Sequence, residues 1–314
     1  MAEAVFLQII QFFSILLIAP FLTGIIKKSK ALLQGRKGPK ILQPYYDLYK
    51  YMHKDSVVSI NASWIFTVTP YIVFGATLTA SALIPAFVHQ NLFSFTGDLV
   101  LVIYLFALSR FFISMAAVDT GSSFGAQGAS RDLFISSMAE PVLFVTILGT
   151  ALPAKTTNLS AIIANIIDRG LPISPAYFMI LVAFVILLVT ETGRVPVDNP
   201  DTHLELTMIH EGPLLEYSGK PLALLMWSSW IKQAALFSLF IDLCFPWGPD
   251  ASLGGWNMFT GPLLFFLKLV IISLIMAGIE ISNAKMRLFK VPRLLSAAFV
   301  LSIFALITEY LLRG

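Results

Sequence analysis

Residues 258–281 read MFTGPLLFFLKLVIISLIMAGIEI, a run of 24 residues in which Lys268 and Glu280 are the only charged side chains. A helix needs about 20 mostly apolar residues to cross the hydrocarbon core of a bilayer, so this run predicts a transmembrane helix. Seven further apolar runs occur at residues 4–26, 64–88, 97–118, 131–152, 172–193, 221–245 and 292–312. The sequence therefore predicts an all-α integral membrane protein with eight transmembrane helices, forming a single polytopic domain over residues 1–314.

The composition agrees with that class. Apolar residues make up 57% of the 314 residues and charged residues only 12%, whereas ordinary soluble domains contain about 25% charged residues. This excludes a disordered chain and a large water-soluble domain. The single cysteine, Cys244, excludes an intrachain disulfide. It also argues against an iron–sulfur cluster or a structural zinc site, each of which needs about four ligands.

The lysines and arginines predict the orientation. Fifteen of them lie in segments 27–63, 119–131, 194–220 and 282–293, and three lie in the segments on the opposite side. Because cytoplasmic loops carry the excess of basic residues, the first set is expected in the cytoplasm. Eight spans then place both termini outside a prokaryotic cell membrane.

The first cytoplasmic loop predicts a short helix over Tyr45–His53 that begins near Pro44 and interleaves tyrosines with lysines. One interpretation is an interfacial helix anchored by aromatic and basic side chains. The alternative is a docking face for a peripheral subunit, with the residues Arg36, Lys37, Tyr45, Tyr46 and Tyr49. Nothing in this loop builds the extended basic groove that nucleic-acid binding requires.

The second loop, which ends near Arg131, is rich in glycine, serine and alanine. Ser130 is a candidate cap for the fourth transmembrane helix, and Asp132 suits its first turn. Capping does not account for Asp119 or Arg131, so these two are candidates for a functional role.

The third loop, residues 191–220, reads ETGRVPVDNPDTHLELTMIHEGPLLEYSGK. Asn199 and Pro200 predict a helix start, and that helix is expected to end near Glu211. The spacing of His203 and His210 puts both on one face, but the order around them is not a zinc-protease motif. A solvated acidic surface is the simplest interpretation of this loop. It is disfavoured because Leu204, Leu206, Met208 and Ile209 leave little room for a purely solvated helix. The six acids of the loop are Glu191, Asp198, Asp201, Glu205, Glu211 and Glu216.

Several charged residues fall inside or at the ends of predicted spans. A charge at the centre of a membrane helix costs about 2.5–3.5 kcal/mol on insertion scales, so such residues are expected to face one another or a wet cavity. This arrangement predicts an ion or proton path. For Asp242 and Glu280, an equally good interpretation is structural pairing near a helix end. The full set is Glu140, Glu191, Asp242 and Glu280, with Arg110, Lys232 and Lys268.

Four motifs together resemble a known family: R-K-G-P at 36–39, L-Q-P-Y-Y-D-L-Y-K at 42–50, G-A-Q-G-A-S-R-D at 125–132 followed by Glu140-Pro141, and the third loop. The chain resembles the quinone-chamber subunit family of respiratory complex I. It looks more similar to the homologous membrane subunit of energy-converting, group 4 [NiFe] hydrogenases and formate hydrogenlyases. The likeness covers nearly the whole chain and is most specific in the third loop.

This resemblance implies an eight-helix, non-catalytic subunit that anchors a peripheral redox module and couples it to ion pumping. The coupling acids would be the six of the third loop, supported by Arg194, and Glu140 would belong to a buried channel of carboxylates. Expected partners are the hydrogenase large and small subunits, an iron–sulfur subunit and antiporter-like membrane subunits. The [NiFe] centre and the iron–sulfur clusters would lie in those partners, and this chain would bind no cofactor or metal itself.

Two alternatives stay open. The first is the quinone-site subunit of a complex I-like enzyme. This sequence lacks the longer R-x-G-P-N-R-V-G-P form of the first loop, and it has His210-Glu211-Gly212 where that branch has an aromatic-rich stretch, so the hydrogenase branch is favoured. The second is an autonomous secondary transporter. Such proteins commonly show internal repeats and broken midplane helices, and neither is apparent in this sequence.

Overall fold

The computed structural model describes residues 2–88, 93–169, 174–199, 208–248 and 257–313. Within these ranges, all regular secondary structure is helical. The ten α-helices are α1 (Ala2–Leu33), α2 (Gln43–Met52), α3 (Trp64–Leu83), α4 (Asp98–Asp119), α5 (Ser123–Ala151), α6 (Leu159–Arg169), α7 (Pro175–Glu191), α8 (Gly219–Cys244), α9 (Asn257–Ser282) and α10 (Val291–Arg313). Short 3₁₀ turns occupy Leu152–Ala154, Gly212–Leu214 and Leu288–Lys290.

Seven of the described helical segments are long and apolar enough to cross a membrane, and they confirm an all-α membrane protein. They correspond to α1, α3, α4, α5, α8, α9 and α10. The remaining predicted span, residues 172–193, coincides with α7, which has 17 residues. At 1.5 Å per residue α7 is about 25 Å long, shorter than a hydrocarbon core of about 30 Å.

Helix α8 lies at the centre of the bundle, where it packs against α1, α2, α3, α7 and α9. Its side chains are buried nearly all round, among them Ile231, Ala235 and Phe237. Helices α9 and α10 instead keep large apolar side chains exposed, such as Leu263 and Phe304. In a membrane protein such a surface faces lipid, so α8 is well placed to hold charged side chains away from the hydrocarbon.

The first loop confirms the predicted short helix, because α2 covers Gln43–Met52 with Pro44 in its first turn. The second loop differs from the prediction. Helix α5 begins at Ser123, so Ser130 is inside the helix and its hydroxyl donates to the carbonyl of Gln127 rather than capping. Asp132 likewise lies in the third turn, not the first.

The start of α5 is stabilised by close packing. A Cβ on Gly128 would lie 2.8 Å from the Cα and the carbonyl carbon of Gly212, so the helix backbone touches the 3₁₀ turn there. Glycine at both positions permits this close approach. The glycine, serine and alanine content of the second loop does not by itself indicate the contact.

The predicted helix of the third loop is wrong at its C-terminal end. Residues 208–211 are not helical and lead into the turn Gly212–Leu214. Residues 200–207, which include Asp201, His203 and Glu205, lie outside the described residues. The loop ends at Tyr217, whose ring stacks on Phe66 of α3 and whose hydroxyl donates to the carbonyl of Phe66 at 2.9 Å.

A buried network of charges as the candidate functional site

Glu191, the last residue of α7, is the centre of the largest group of charges. Its carboxylate accepts from Arg110 of α4 at 2.6 Å and from Lys232 of α8 at 2.8 Å. Both Glu191 and Arg110 are buried, and the ammonium of Lys232 also lies over the ring of Phe106. Buried charges are tolerated when each has a close partner of opposite sign, and here one carboxylate serves two cations on two other helices.

Arg110 extends this group to helix α5. Its guanidinium lies 3.8 Å from the carboxylate of Asp132 and 3.7 Å from that of Glu140. Asp132 and Glu140 are eight residues apart on α5, so both point toward α4. The Glu140 side chain is 37% exposed, and it lines a groove of about 550 Å³ between α4 and α5 with Tyr104, Leu108 and Leu133. One end of the network therefore opens at the side of the protein, within a membrane-spanning region.

His210 connects the same group to the third loop. Its Nε2 lies 3.6 Å from Asp132, and its Nδ1 lies 3.5 Å from Asp198. These separations are longer than a good hydrogen bond, so a small movement of the loop would make or break either contact. Since each imidazole nitrogen can donate or accept a hydrogen bond, this position lets His210 link the two carboxylates.

Asp198 forms the end of the network on the loop side. Its carboxylate accepts from the ammonium of Lys285 at 2.9 Å and from the backbone amides of Ile209 and His210 at 3.2 and 3.1 Å. Burial raises the pKa of the Asp198 carboxyl, but interactions with the His210 side chain and hydrogen bonds from Lys285 and the amide of His210 outweigh burial and hold that pKa below its ordinary value. Asp198 is therefore ionised at neutral pH, and its charge-assisted hydrogen bonds hold the third loop in position.

A cavity of about 90 Å³ joins these groups. Its lining includes five members of the network, together with hydroxyl groups such as those of Thr77 and Ser228. A cavity of this size and polarity has room for a few water molecules. The network members that line it are Arg110, Asp132, Glu191, His210 and Lys232.

A second group of charges surrounds Glu280 of α9. Its carboxylate lies 2.9 Å from Lys30 of α1 and 2.8 Å from Arg194, just after α7. Arg194 also donates to Gln233 of α8 at 2.9 Å, and Gln233 adjoins Lys232 in sequence. The structure thus places Glu280 in close ion pairs, which supports the structural-pairing interpretation of that residue.

Asp242 and Lys268 lie elsewhere. Asp242 is buried in α8, ten residues beyond Lys232 and so about 15 Å further along the helix. Lys268 donates to the carbonyl oxygen atoms of Phe245 and Trp247. In the described part of the chain, these two residues are separate from the network around Glu191.

The remaining candidates lie in or next to the loops, with Arg131 inside α5. Arg131 donates to the carbonyl of Met208 at 3.4 Å. Glu211 and Glu216 are half-buried. Among the docking candidates, Arg36, Lys37, Tyr46 and Tyr49 are exposed. Tyr45 instead donates to the carbonyl of Leu17, so it fastens α2 to α1.

Sequence reasoning missed five residues of the two groups: Lys30, Asp132, His210, Gln233 and Lys285. One of them left a usable signal. Asp132, Ser136 and Glu140 repeat every four residues, which puts them on one face of a helix. The three residues can be recognised as one helix face only when the helix is known to begin before residue 131.

Comparison with known proteins agrees with this architecture. A family model described as "NADH dehydrogenase" matches residues 6–310. Formate hydrogenlyase subunit 4 of Escherichia coli is 32% identical over 97% of this chain and 98% of that protein. Hydrogenase-4 component C of E. coli is 31% identical over 93% and 91% of the two chains.

More distant relatives share the architecture. A subunit of the NADH-quinone oxidoreductase of Rhodospirillum rubrum is 26% identical over 87% of this chain and 82% of that protein. A chain of the membrane-bound sulfane sulfur reductase, an archaeal respiratory membrane complex, superimposes with a TM-score of 0.81 at 21% identity. The match covers 96% of this chain and 99% of that chain, and it shows the shared fold.

Proposed function

We propose that this chain, which belongs to the NADH dehydrogenase family, is the membrane-anchoring and ion-coupling subunit of a membrane-bound [NiFe]-hydrogenase complex. It links a peripheral redox module to the translocation of protons or sodium ions. The relatives at 32% and 31% identity are named as components of formate hydrogenlyase and hydrogenase-4.

The observation that carries this proposal is the continuous chain of charges from the third loop to the lateral groove. It runs from Asp198 through His210 and Asp132 to Arg110, and ends at the partly exposed Glu140. Charged groups inside a membrane protein mark ion or proton paths by default. Because each side chain lies within 4 Å of the next, a change of protonation at the loop alters the electrostatic field at Glu140.

Asp201, Glu205, Glu211 and Glu216 extend this acidic path along the loop toward the peripheral module in our proposal. Asp242 and Lys268 are not required for it. The partners would be the hydrogenase large and small subunits, an iron–sulfur subunit and antiporter-like membrane subunits. Those partners would carry the [NiFe] centre and iron–sulfur clusters, since the one cysteine of this chain is buried and cannot supply a cluster.

The proposal includes eight crossings of a prokaryotic cell membrane, with both termini outside. Helix α7 is the short crossing. Near its first residue, the hydroxyl of Tyr177 donates to the carbonyl of Cys244 at the end of α8. Its own last residue, Glu191, lies in the network that reaches the third loop. A short helix of this kind is accommodated because it packs against α5, α8 and α10 rather than against lipid alone.

A complex I-like quinone-site subunit is the second candidate, since a subunit of an NADH-quinone oxidoreductase is also a relative. The cavity beside Glu191 is about 90 Å³, whereas small-molecule sites usually measure about 300–1,000 Å³. For the space beside Glu191, this comparison favours a water-filled polar cavity over a quinone site. An autonomous transporter is disfavoured because the relatives cited above are named as components of larger enzymes.

The test is the substitution Glu140→Gln in the assembled complex. Gln has nearly the same volume but cannot exchange a proton. Arg110 keeps its closer contact with Glu191 at 2.6 Å, so assembly should survive. We expect hydrogen evolution with a soluble electron donor to stay close to wild type, while ion uptake by membrane vesicles falls about a hundredfold or more, since a positioned proton-transfer group typically contributes about 10²–10⁴-fold.

Asp168→Asn is the matched control, because Asp168 is an exposed carboxylate on α6, away from the network. It should leave both activities unchanged. Normal ion uptake in an assembled Glu140→Gln complex would remove Glu140 from the path. Loss of both activities together with loss of the peripheral module would make Glu140 an assembly residue.

A further inference from the structure

A second groove, separate from the charge network, lies between α5 and α10. Its volume is about 410 Å³ and its lining is mostly apolar. Helix α5 contributes Met138, Pro141 and Val142, and α10 contributes Pro292, Leu295 and Phe299, with Arg293 and Ser296 at the same wall. Arg293 and Ser296 are exposed, so the groove opens on the outer surface of the bundle where lipid is expected.

The segment that leads into α10 beside this groove carries unbalanced positive charge. Segment 282–293 contains four basic residues, and residues 281–308 contain no acid. Lys285 is paired with Asp198 at 2.9 Å. The other three, Arg287, Lys290 and Arg293, are exposed, and no ion pair joins them to a carboxylate of the described residues.

We propose that this groove is a binding site for one anionic phospholipid, with its phosphate at Arg293 and an acyl chain along Leu295 and Phe299. Phe299 lies six residues beyond Arg293 on α10, about 9 Å deeper at 1.5 Å per residue. The cation thus stands at headgroup level, and the apolar wall follows the direction of a lipid tail. Basic pockets between membrane helices on the cytoplasmic side are suited to anionic headgroups.

Two features favour a phospholipid over other occupants. A free phosphate would satisfy Arg293 but leave the apolar wall uncovered. A transmembrane helix of a partner subunit could cover the apolar wall. To balance the three neighbouring cations, that helix would also need an acidic residue at the membrane surface. Phe289, 80% exposed between Arg287 and Lys290, adds an aromatic anchor of the kind found at membrane interfaces.

The experiment uses the intact complex in its own membranes and a photoactivatable phosphatidylglycerol with a diazirine on the acyl chain. Peptide mass spectrometry locates the crosslinks. We expect labelling of the α5 and α10 segments that line the groove, and about fivefold less labelling in Arg293→Gln, the effect of one basic residue at an anionic membrane surface. Ser296→Phe, which fills the groove and leaves the cations in place, should reduce labelling similarly.

Lys54→Gln is the control, because it removes one exposed positive charge from the first loop, away from the groove. It should leave the labelling unchanged. Equal labelling of the groove by a phosphatidylcholine probe would overturn the proposal, since the site would then not select anionic lipid. Absence of lipid labelling in the wild-type complex, with crosslinks to a membrane subunit instead, would show that a protein helix covers the groove and would also overturn it.

Discussion

Two backbone amides, those of Ile209 and His210, donate to the same carboxylate, Asp198, and Lys285 binds it from the segment before α10. A single side chain thus joins three stretches of chain at one end of the bundle. The sequence marked Asp198 as an acid of the third loop but provided no information on these donors. They are brought together by the packing of α7 against α10, which no local pattern encodes.

The lowered pKa of Asp198 predicts an acid-sensitive loop. A carboxyl whose pKa is lower in the folded protein than its unfolded value, about 3.9, stabilises the fold above that unfolded value. The contribution is lost as pH falls through the folded pKa. Hydrogen exchange at the amides of Ile209 and His210, corrected for the intrinsic rate, should therefore stay slow at neutral pH. Protection should disappear only below about pH 4.

Lys285→Gln sharpens this prediction by removing one of the groups that lower the pKa. Loss of protection at Ile209 and His210 should then begin at higher pH than in the wild type. Lys290→Gln removes an equal charge from an exposed position of the same segment, and its profile should match the wild type. Identical profiles for all three proteins would show that Lys285 does not support the carboxylate.

At the scale of elements, α5 shows where sequence reasoning fell short. Hydropathy located the apolar part of α5 well, because the predicted span, residues 131–152, ends within one residue of the helix end at Ala151. Its first two turns, from Ser123, contain glycines and serines that favour loops in isolation. Tertiary contact with the turn at Gly212 overrides that preference. The same contact positions Asp132 in the network around Glu191. The missed helix start and the missed site residue therefore have one cause.

Gly128→Ala tests the contact between α5 and the turn. The added methyl group would meet backbone atoms of Gly212 at 2.8 Å, and backbone cannot rotate away as a side chain can. We expect overpacking to lower the free energy of unfolding by about 1–3 kcal/mol. Thermal unfolding of the purified complex measures this loss, and hydrogen exchange of residues 208–217 should increase because the turn is displaced.

Gly75→Ala is the matched control for that substitution. Gly75 lies inside α3, and no heavy atom lies within 4 Å of an added Cβ. Since alanine favours helix over glycine by about 1 kcal/mol, stability should be equal or slightly higher. Equal loss of stability in both variants would mean that the approach of α5 to the turn is not a tight contact.

For the molecule as a whole, the predicted cytoplasmic segments meet at one end of the bundle. The amide of Val57 donates to the hydroxyl of Ser218 at 2.8 Å, and the amide of Met286 donates to the carbonyl of Pro196 at 2.8 Å. The amide of Ser63 donates to Asp119 at the end of α4. Hydropathy and basic-residue counts could predict this grouping because both depend on local composition. They could not predict which buried charges meet, since that depends on how the helices pack.

The orientation of this end leads to the last prediction, tested by cysteine labelling of intact cells. Cys244 is 1% exposed, so Cys244→Ser provides a background without reactive thiols. In that background, Lys54→Cys marks the first loop and Asp168→Cys marks α6 near the opposite end, both at exposed positions. Because cytoplasmic loops carry the excess of basic residues, a membrane-impermeant maleimide should label residue 168 from outside and leave residue 54 unlabelled. After permeabilisation both residues should react. Labelling of residue 54 from outside would reverse the topology, and with it the side on which a peripheral redox module could reach Asp198.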